Sequence, residues 1–324
     1  MSNADVLIRM HRMKSLRKND LHIHLGGSWP MSFLEEIGDE EDVRNLKSFL
    51  DAMDMKNDTD YHICFQAFGL AAKIVNTNDK VEAGAHALCK SMALDGVVYA
   101  EIRTGLKMYG SASYEDYLTA VLRGVASGCI DTSLTVKIIL SLKRNSSLDI
   151  ANETLRLVKK YDEVVGLDIS DDALLGNGQA ILSIMDEVRT LGIPIALHLG
   201  ECKEETEEQQ MRELEMLQPV RIGHGVFLCD KAKEWIFSRR IPIEMCLSSA
   251  VKAHMVQDAI EHPALQLIRD GYPVAVCTDD PLIFRTSHSD ESEYAAQLLD
   301  FSPEQMQTLH DKAMQYRFGS PVRC

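Results

Sequence analysis

Four short segments of the sequence carry residue types that can bind a metal ion and move protons. The segments are LHIHLGG, ALHLGE, RIGHGV and VCTDDP, and each lies at the end of an apolar, β-branched stretch. The candidate residues are His22, His24, His198, Glu201, His224, Asp279 and Asp280. Three histidines and one aspartate suffice to hold a divalent ion, which leaves acid and imidazole groups for proton transfer. The pattern indicates a catalytic metal centre.

The histidines and Glu201 suggest how such a centre would be organised. His22 and His24 are alternate residues of a predicted strand, so both imidazoles point to the same side. Nitrogen and carboxylate ligands without thiolates favour one Zn²⁺ per chain, with Fe²⁺, Co²⁺ or Mn²⁺ as alternatives. Glu201 follows His198 by three residues. We expect its carboxyl group to lie beside the metal, with a raised pKa, and to donate a proton.

Two further segments add polar groups at strand ends. His224 lies between two glycines, which would let substrate or water approach the imidazole closely. Asp279 and Asp280 are adjacent. Strand alternation therefore predicts that Asp279 faces the metal and that Asp280 contacts the substrate.

The apolar stretches predict a (β/α)₈ barrel. Near-continuous apolar runs, separated by helical periodicity as in Ile150–Lys160 and Gly178–Leu191, are typical of parallel strands covered on both faces. The predicted strands are 20–25, 97–103, 135–141, 164–169, 193–198, 221–226, 241–246 and 273–278. The polar residues follow these strands, and the active sites of such barrels lie at the carboxyl ends of their strands. A closed ring would bring Asp279 close to His22 and His24. A doubly wound open sheet is the competing fold.

One domain is expected over residues 1–324. The long stretch 31–94 between the first two strands contains YHICFQAFGLAAKIV, whose near-helical spacing predicts helices over the barrel mouth, either as a lid or as simple packing helices. The acidic run Glu204–Glu208 is predicted to be a solvated helix face.

Composition excludes several classes of partner. The formal net charge of −15 argues against nucleic-acid binding. No apolar run has the length of a membrane span or signal sequence. The 8 cysteines form no C-x-x-C pair, which indicates buried free thiols in a reducing, cytoplasmic compartment. The oligomeric state stays open, with a monomer expected.

Together the segments LHIHLGGS, VVGLDIS, IALHLGE, RIGHG and CTDDPLIF resemble the adenosine deaminase family of the amidohydrolase superfamily, from about residue 18 to residue 300. The resemblance implies that His22, His24, His198 and Asp279 are zinc ligands. It implies catalytic roles for Glu201, which would protonate purine N1, for His224, which would orient the attacking hydroxide, and for Asp279. Asp280 would bind N7, and His24 would also border the substrate.

Two positions depart from the pattern that this family usually shows. Gly26 stands where an acidic residue usually holds the ribose 5′-hydroxyl, so repulsion of a 5′-phosphate is removed. Asp171 stands where a glycine usually donates its backbone N–H to purine N3. Other stretches are closer to the N6-methyl-AMP deaminase branch, in which Arg144 matches an arginine and could contact phosphate or simply be a surface loop residue.

These features predict a zinc-dependent purine aminohydrolase that acts on a small-molecule nucleotide or nucleoside. N6-methyl-AMP or a related N6-substituted AMP is the favoured substrate, and adenosine is the second. A barrel metallohydrolase of amides or phosphoesters and a catalytically inactive purine-binding homologue are the remaining alternatives.

Overall fold

Eight parallel strands form one sheet in chain order, β1 to β8. The computed structural model describes residues 13–55, 63–176 and 178–318. The strands are β1 Lys18–His24, β2 Val97–Gly105, β3 Thr135–Lys143, β4 Val164–Ser170, β5 Ile195–Leu199, β6 Arg221–His224, β7 Ile243–Met245 and β8 Val274–Val276. Each lies within a few residues of its predicted position.

The sheet closes on itself just beyond β8. Ile23 and Asp279 form a parallel bridge. The backbone N–H of His24 donates to the carbonyl of Asp279 over 2.8 Å, and the N–H of Asp279 donates to the carbonyl of His22 over 2.8 Å. The fold is therefore the predicted (β/α)₈ barrel, and the doubly wound open sheet is wrong.

Helices surround the barrel and leave its interior to side chains from the strands. The helices are α1 Met31–Ile37, α2 Glu40–Met55, α3 Ile63–Ile74, α4 Asn78–Leu94, α5 Tyr114–Gly128, α6 Leu148–Lys160, α7 Gln179–Leu182, α8 Met185–Thr190, α9 Glu207–Leu217, α10 Asp230–Ser238, α11 Leu247–Lys252, α12 Pro263–Arg269, α13 His288–Leu299 and α14 Pro303–Ala313. Apolar residues on the outer face of the strands pack against these helices in one large core. None of the described helices is both long and apolar enough to cross a membrane.

The long stretch between β1 and β2 is helical, as its periodicity predicts. Helices α1 to α4 lie there, and α3 covers most of YHICFQAFGLAAKIV. Cys64, Phe65 and Phe68 of α3 line the cavity at the carboxyl ends of the strands. This helix therefore borders the barrel mouth, and its movement as a lid stays a prediction, as does the single-domain organisation.

Two local predictions differ from the structure. The helical periodicity of Gly178–Leu191 belongs to two short helices, α7 and α8, which are separated at Ser183 and Ile184. Asp279 and Asp280 lie beyond the end of β8, and Asp279 has a left-handed backbone with φ 63°. Strand alternation therefore does not set the directions of these two carboxylates; the turn after the strand does.

Candidate active site

Three imidazoles and one carboxylate converge at the carboxyl end of the barrel. The Nε2 atom of His24 lies 3.2 Å from Nε2 of His22 and 3.1 Å from Nε2 of His198. The Oδ1 atom of Asp279 lies 3.3 Å from Nε2 of His22 and 3.5 Å from Nε2 of His24. The first, fifth and eighth strands thus bring together the four residues that the sequence predicts as metal ligands.

These distances fit ligands of one divalent ion. Atoms that each lie about 2.0–2.1 Å from a common zinc ion are about 3–3.5 Å from one another, and the four contacts above lie in that range. His224 also belongs to a potential ligand set with His22, His198 and Asp279. Its Nε2 is 4.0 Å from Oδ2 of Asp279, which is a looser contact than those of His24. The predicted ligand set, with His24 rather than His224, stays a prediction, and the shorter contacts of His24 support it.

Buried carboxylates fix the orientation of two of the imidazoles. Nδ1 of His22 lies 2.9 Å from Oε2 of Glu244, and Nδ1 of His198 lies 3.0 Å from Oδ1 of Asp168. A proton on each Nδ1, shared with the neighbouring carboxylate, would leave the Nε2 lone pair of each ring for a metal ion at the centre of the site. Converging lone pairs beside a carboxylate form a site that a cation would satisfy.

Arginines inside the barrel hold these two carboxylates. Arg103 pairs with Asp168 over 3.0 Å and with Glu244, and it is fully buried. Arg221 contacts Glu244 over 2.9 Å and Glu101 over 2.6 Å. The imidazoles of His22 and His198 therefore contact a buried ion network inside the barrel.

Glu201 and His224 face each other at the edge of the ligand cluster. Oε1 of Glu201 lies 3.6 Å from Nε2 of His224. The imidazole of His224 is buried, and neither ring nitrogen has a hydrogen-bond partner among the described residues. Burial lowers the pKa of His224 well below its usual range, so the ring is neutral. A carboxyl group and a neutral imidazole are thus available beside the metal ligands for proton transfer.

Glu205 holds the loop that carries Glu201. Its carboxylate accepts from the backbone N–H groups of Gly200, Glu201 and Cys202 over 2.9, 2.9 and 3.0 Å. Glu205 is buried, whereas Glu204 and the other acidic residues of the run are exposed. The prediction that this run is a solvated helix face is therefore wrong for Glu205, which is buried and accepts three backbone N–H groups, and Glu204 is solvated but precedes α9. Burial raises the pKa of Glu205, and the three N–H donors oppose that shift.

Asp279 and Asp280 have different surroundings. Oδ2 of Asp279 accepts from the hydroxyl of Ser249 over 2.6 Å, which leaves Oδ1 for the imidazoles. Asp280 lines the cavity, and its Oδ1 has no partner among the described residues. Burial and the neighbouring Asp279 raise the pKa of Asp280 well above its usual range. Asp280 is thus a polar group turned toward the cavity.

Glycines make room for these side chains. A Cβ on Gly27 would lie only 1.9 Å from Oδ1 of Asp280, and a Cβ on Gly223 would lie 2.9 Å from the ring of His22. The glycine before His224 therefore makes space for a ligand imidazole. The sequence-based expectation that it opens a path to substrate or water is not what the packing shows.

The ligand cluster opens into a cavity of about 430 Å³, a size typical of small-molecule sites. Its wall includes residues from the strand ends, from the loops that follow them and from α3. They include His24, Gly26, Phe65, Phe68, Thr104, Lys107, Ser141, Lys143, Asp171, Glu201 and Asp280. Gly26 and Asp171, the two departures from the family pattern, therefore lie in this wall.

Asp171 and Arg144 are held by ion pairs. Asp171 has a left-handed backbone with φ 70°, which explains why a glycine suits this position, and its carboxylate pairs with Lys143 over 2.5 Å. Arg144 is buried and pairs with Glu213 through two contacts of 2.9 Å. It also donates to the carbonyls of Asp171 and His198 over 3.2 and 2.6 Å.

The structure thus places Arg144 behind the cavity wall and not among the lining residues. Its four contacts are to the protein itself, so the guanidinium fixes the strand end that carries His198. This position argues against the phosphate contact that the sequence suggested for Arg144, and it is not the surface residue of the alternative either.

Several residues of the site were missed by sequence reasoning. Asp168 in VVGLDIS, Glu244 in IPIEMCL and Arg103 in VVYAEIRTG are charged residues within otherwise apolar strands. Such a residue in a strand covered on both faces must find a partner inside the barrel, and this signal could have identified all three. Ser249 and Glu205 carry no comparable signal, because their contacts depend on loop geometry.

Known proteins are similar to this chain in both sequence and fold. A model of the family described as adenosine deaminase matches residues 17–321. The N6-methyl-AMP deaminase-L of Xenopus laevis is 29 % identical over 317 residues, which cover 95 % of this chain and 90 % of that protein.

Two solved structures from Arabidopsis have a closely similar fold. The N6-mAMP deaminase MAPDA has 27 % identity and a TM-score of 0.86, with 95 % of each chain covered. ADAL complexed with IMP has 27 % identity and a TM-score of 0.85, covering 95 % of this chain and 93 % of that one. The chain therefore belongs to the adenosine deaminase family and is a hydrolytic deaminase acting on carbon–nitrogen bonds.

Proposed function

We propose that this protein is a zinc-dependent deaminase that hydrolyses the bond between C6 and the amino nitrogen of an adenine 5′-nucleotide. N6-methyl-AMP is the favoured substrate, with IMP and methylamine as the products. The observation that carries the proposal is the convergence of His22, His24, His198 and Asp279 beside the Glu201–His224 pair, at the end of a cavity of about 430 Å³.

Two observations favour a nucleotide over a nucleoside. Relatives from Xenopus laevis and Arabidopsis carry the name N6-methyl-AMP deaminase, and a solved relative holds IMP. In this chain Gly26, in the cavity wall, offers no carboxylate that would repel a 5′-phosphate. Adenosine, which lacks the phosphate, is accordingly the second candidate.

Each side chain has a proposed task in the reaction. Zinc held by the four ligands would supply a Lewis acid and lower the pKa of a water molecule. We propose that His224 orients the attacking water, which the approach of its Nε2 to Glu201 and Asp279 supports. We propose that Glu201 protonates purine N1 as negative charge develops on the ring. Asp280 hydrogen-bonds N7, and the backbone N–H of Asp171 hydrogen-bonds N3.

We infer a reducing compartment such as the cytosol for this enzyme. The described cysteines, which include Cys64, Cys89, Cys202 and Cys277, are all free thiols. Burial raises the pKa of Cys64 and Cys202 to about 12, which makes these thiols unreactive. A disulfide found in protein isolated from its native cell would contradict this inference.

Replacing Glu201 tests the proton donor. The Glu201→Gln variant keeps the size of the side chain but cannot deliver the proton, so kcat should fall about 10²–10⁴-fold with little change in KM. Zinc content, measured by atomic emission, should stay at one ion per chain. The matched control is Glu208→Gln, an exposed glutamate of α9, which should keep full turnover. A Glu201→Gln enzyme with ordinary kcat would remove Glu201 from the mechanism.

Replacing Asp168 tests the support of the metal ligand. In Asp168→Asn the charge that holds Nδ1–H of His198 is lost, and zinc affinity should fall about 10–100-fold. Competition with a chelator measures this affinity without reference to catalysis. Asp162→Asn, on the exposed turn before β4, is the control. Unchanged zinc affinity in a folded Asp168→Asn protein would show that the carboxylate does not position the ligand.

A comparison of substrates tests the proposed reaction itself. N6-methyl-AMP, AMP, N6-methyladenosine and adenosine are offered to the zinc-loaded enzyme, and loss of the aminopurine absorbance is followed. We expect the highest kcat/KM with N6-methyl-AMP. A preference for adenosine would instead indicate that the enzyme deaminates nucleosides. Absence of turnover with all four compounds would indicate that the protein is a catalytically inactive purine-binding homologue.

A further inference from the structure

Glu291 is a carboxylate of α13 that takes no part in the proposed reaction. It lies in the first turn of that helix and is fully buried. Its Oε2 accepts from the backbone N–H of Leu247 over 3.0 Å, and both of its oxygens lie 3.3 Å from the backbone nitrogen of Ser248. Oε1 also accepts from the hydroxyl of Thr286 over 2.9 Å. A buried carboxylate needs such partners, and here two other segments of the chain supply them.

These hydrogen bonds work against the cost of burying the carboxylate. Burial raises the pKa of Glu291 to about 7, and the hydrogen bonds from Ser248, Thr286 and Leu247 oppose this rise. Hydrogen bonds to a charged acceptor are about twice as strong as those between neutral groups. An ionised Glu291 therefore binds both segments to α13.

The N–H groups that Glu291 accepts belong to the first turn of α11. Leu247 and Ser248 begin this helix of six residues, and Ser249 follows them. The first N–H groups of a helix have no partner within the helix itself. Glu291 provides that partner, so it fixes the place where α11 begins. The position of Ser249 depends on the same turn.

Ser249 connects α11 to a predicted metal ligand. Its hydroxyl donates to Oδ2 of Asp279 over 2.6 Å, whereas Oδ1 of Asp279 faces the imidazoles of His22 and His24. Ser249 is buried and lines the cavity. One oxygen of the carboxylate is thus held by α11, and the other is directed into the ligand cluster. A displacement of α11 would move the hydroxyl and release the first oxygen.

The other end of α11 is fastened to the chain that follows β8. Lys252, the last residue of the helix, donates from Nζ to the carbonyl of Phe284 over 2.8 Å. Thr286, which donates to Glu291, belongs to the same stretch of chain. The helix and this stretch are therefore joined at both ends of α11, and Ser249 lies between the two connections.

We propose that Glu291 is a positioning residue for Asp279. By holding the first turn of α11, it places the hydroxyl of Ser249 against Oδ2 of Asp279 and so keeps Oδ1 directed to the imidazoles. This inference rests on the proposed role of Asp279 as a zinc ligand. It adds a residue that acts from outside the cavity, since Glu291 is not among the described residues that line it.

Zinc affinity, measured by competition with a chelator, tests this role without any turnover. Glu291→Gln keeps the size of the side chain but loses the charge and one acceptor oxygen. At about pH 8, where Glu291 is ionised, we expect zinc affinity to fall about 10-fold. The control is Glu234→Gln, an exposed glutamate of α10, which should keep the wild-type affinity. Unchanged zinc affinity in a folded Glu291→Gln protein would overturn the proposal.

A double variant separates the positioning of Asp279 from a general weakening of the fold. Ser249→Ala removes the hydroxyl, and zinc affinity should fall about 10–100-fold. Because Glu291 is proposed to act through Ser249, adding Glu291→Gln to Ser249→Ala should lower the affinity by less than about twofold. If the two reductions multiply instead, or if Ser249→Ala keeps the wild-type affinity, the proposal is wrong.

The absorption spectrum of the cobalt-substituted protein reports on the same contact. The visible bands of Co²⁺ depend on the geometry of its ligands, so Glu291→Gln and Ser249→Ala should change the spectrum in the same way. A general loss of stability would lower the melting temperature and leave these bands in place. A wild-type cobalt spectrum in Glu291→Gln would therefore contradict a positioning role.

Thr286→Val keeps the proposal testable if Glu291→Gln does not fold. This variant removes the hydroxyl that donates to Glu291 and keeps the shape of the side chain. Zinc affinity should fall about 2–10-fold, the effect of one hydrogen bond, and this fall should disappear when Ser249 is already alanine. No fall in the single variant, or an equal fall in both backgrounds, would count against the role of Glu291.

These measurements also separate the role of Glu291 from the proposed reaction. Turnover of N6-methyl-AMP by the wild type, together with zinc affinities that multiply in the double variant, would remove Glu291 from the site and leave the deaminase standing. Absence of turnover with all four purines, together with zinc affinities that do not multiply, would overturn the reaction and leave the positioning of Asp279 in place.

Discussion

The arrangement of this site depends on how the barrel interior stabilises two buried carboxylates. Burial alone would raise the pKa of Asp168 and of Glu244, and a protonated acid could not hold the Nδ1–H of an imidazole. Arg103 contacts both carboxylates, and the surrounding cations keep both pKa values below their usual range. Removing one partner of such a buried ion pair lowers the free energy of unfolding by about 3–5 kcal/mol. The His22 and His198 rings therefore contact carboxylates whose charge is maintained by cations deep in the barrel.

Backbone strain at the strand ends completes the site. Asp171, His224 and Asp279 all have positive φ angles, of 70°, 62° and 63°. Each such conformation costs a non-glycine residue about 1 kcal/mol or more, and it persists where the surrounding structure determines it. As the chain leaves the barrel, Asp171 and Asp279 line the cavity, and His224 lies beside Glu201. The strain is thus located at the residues for which we propose contacts with water, metal and substrate.

The sequence predicts the barrel and the ligand cluster, and it predicts less about what supports them. Apolar runs place the eight strands within a few residues, because strands covered on both faces have a continuous apolar signature. The meeting of His22 and Asp279 follows from closure of the ring. Contacts such as Glu205 with three backbone N–H groups, or Arg144 with Glu213, depend on loop paths that local patterns do not encode. For this reason the sequence suggested Arg144 as a phosphate contact, although the structure pairs it with Glu213.

The cavity wall carries charges of both signs. The acidic residues Asp171, Glu201, Asp279 and Asp280 line it together with Lys107 and Lys143. The whole chain carries a formal net charge of −15, which would repel a phosphorylated substrate at a distance. Salt screens that repulsion over about 8–10 Å, so recognition of the phosphate of the proposed substrate would come from short-range contacts inside the cavity.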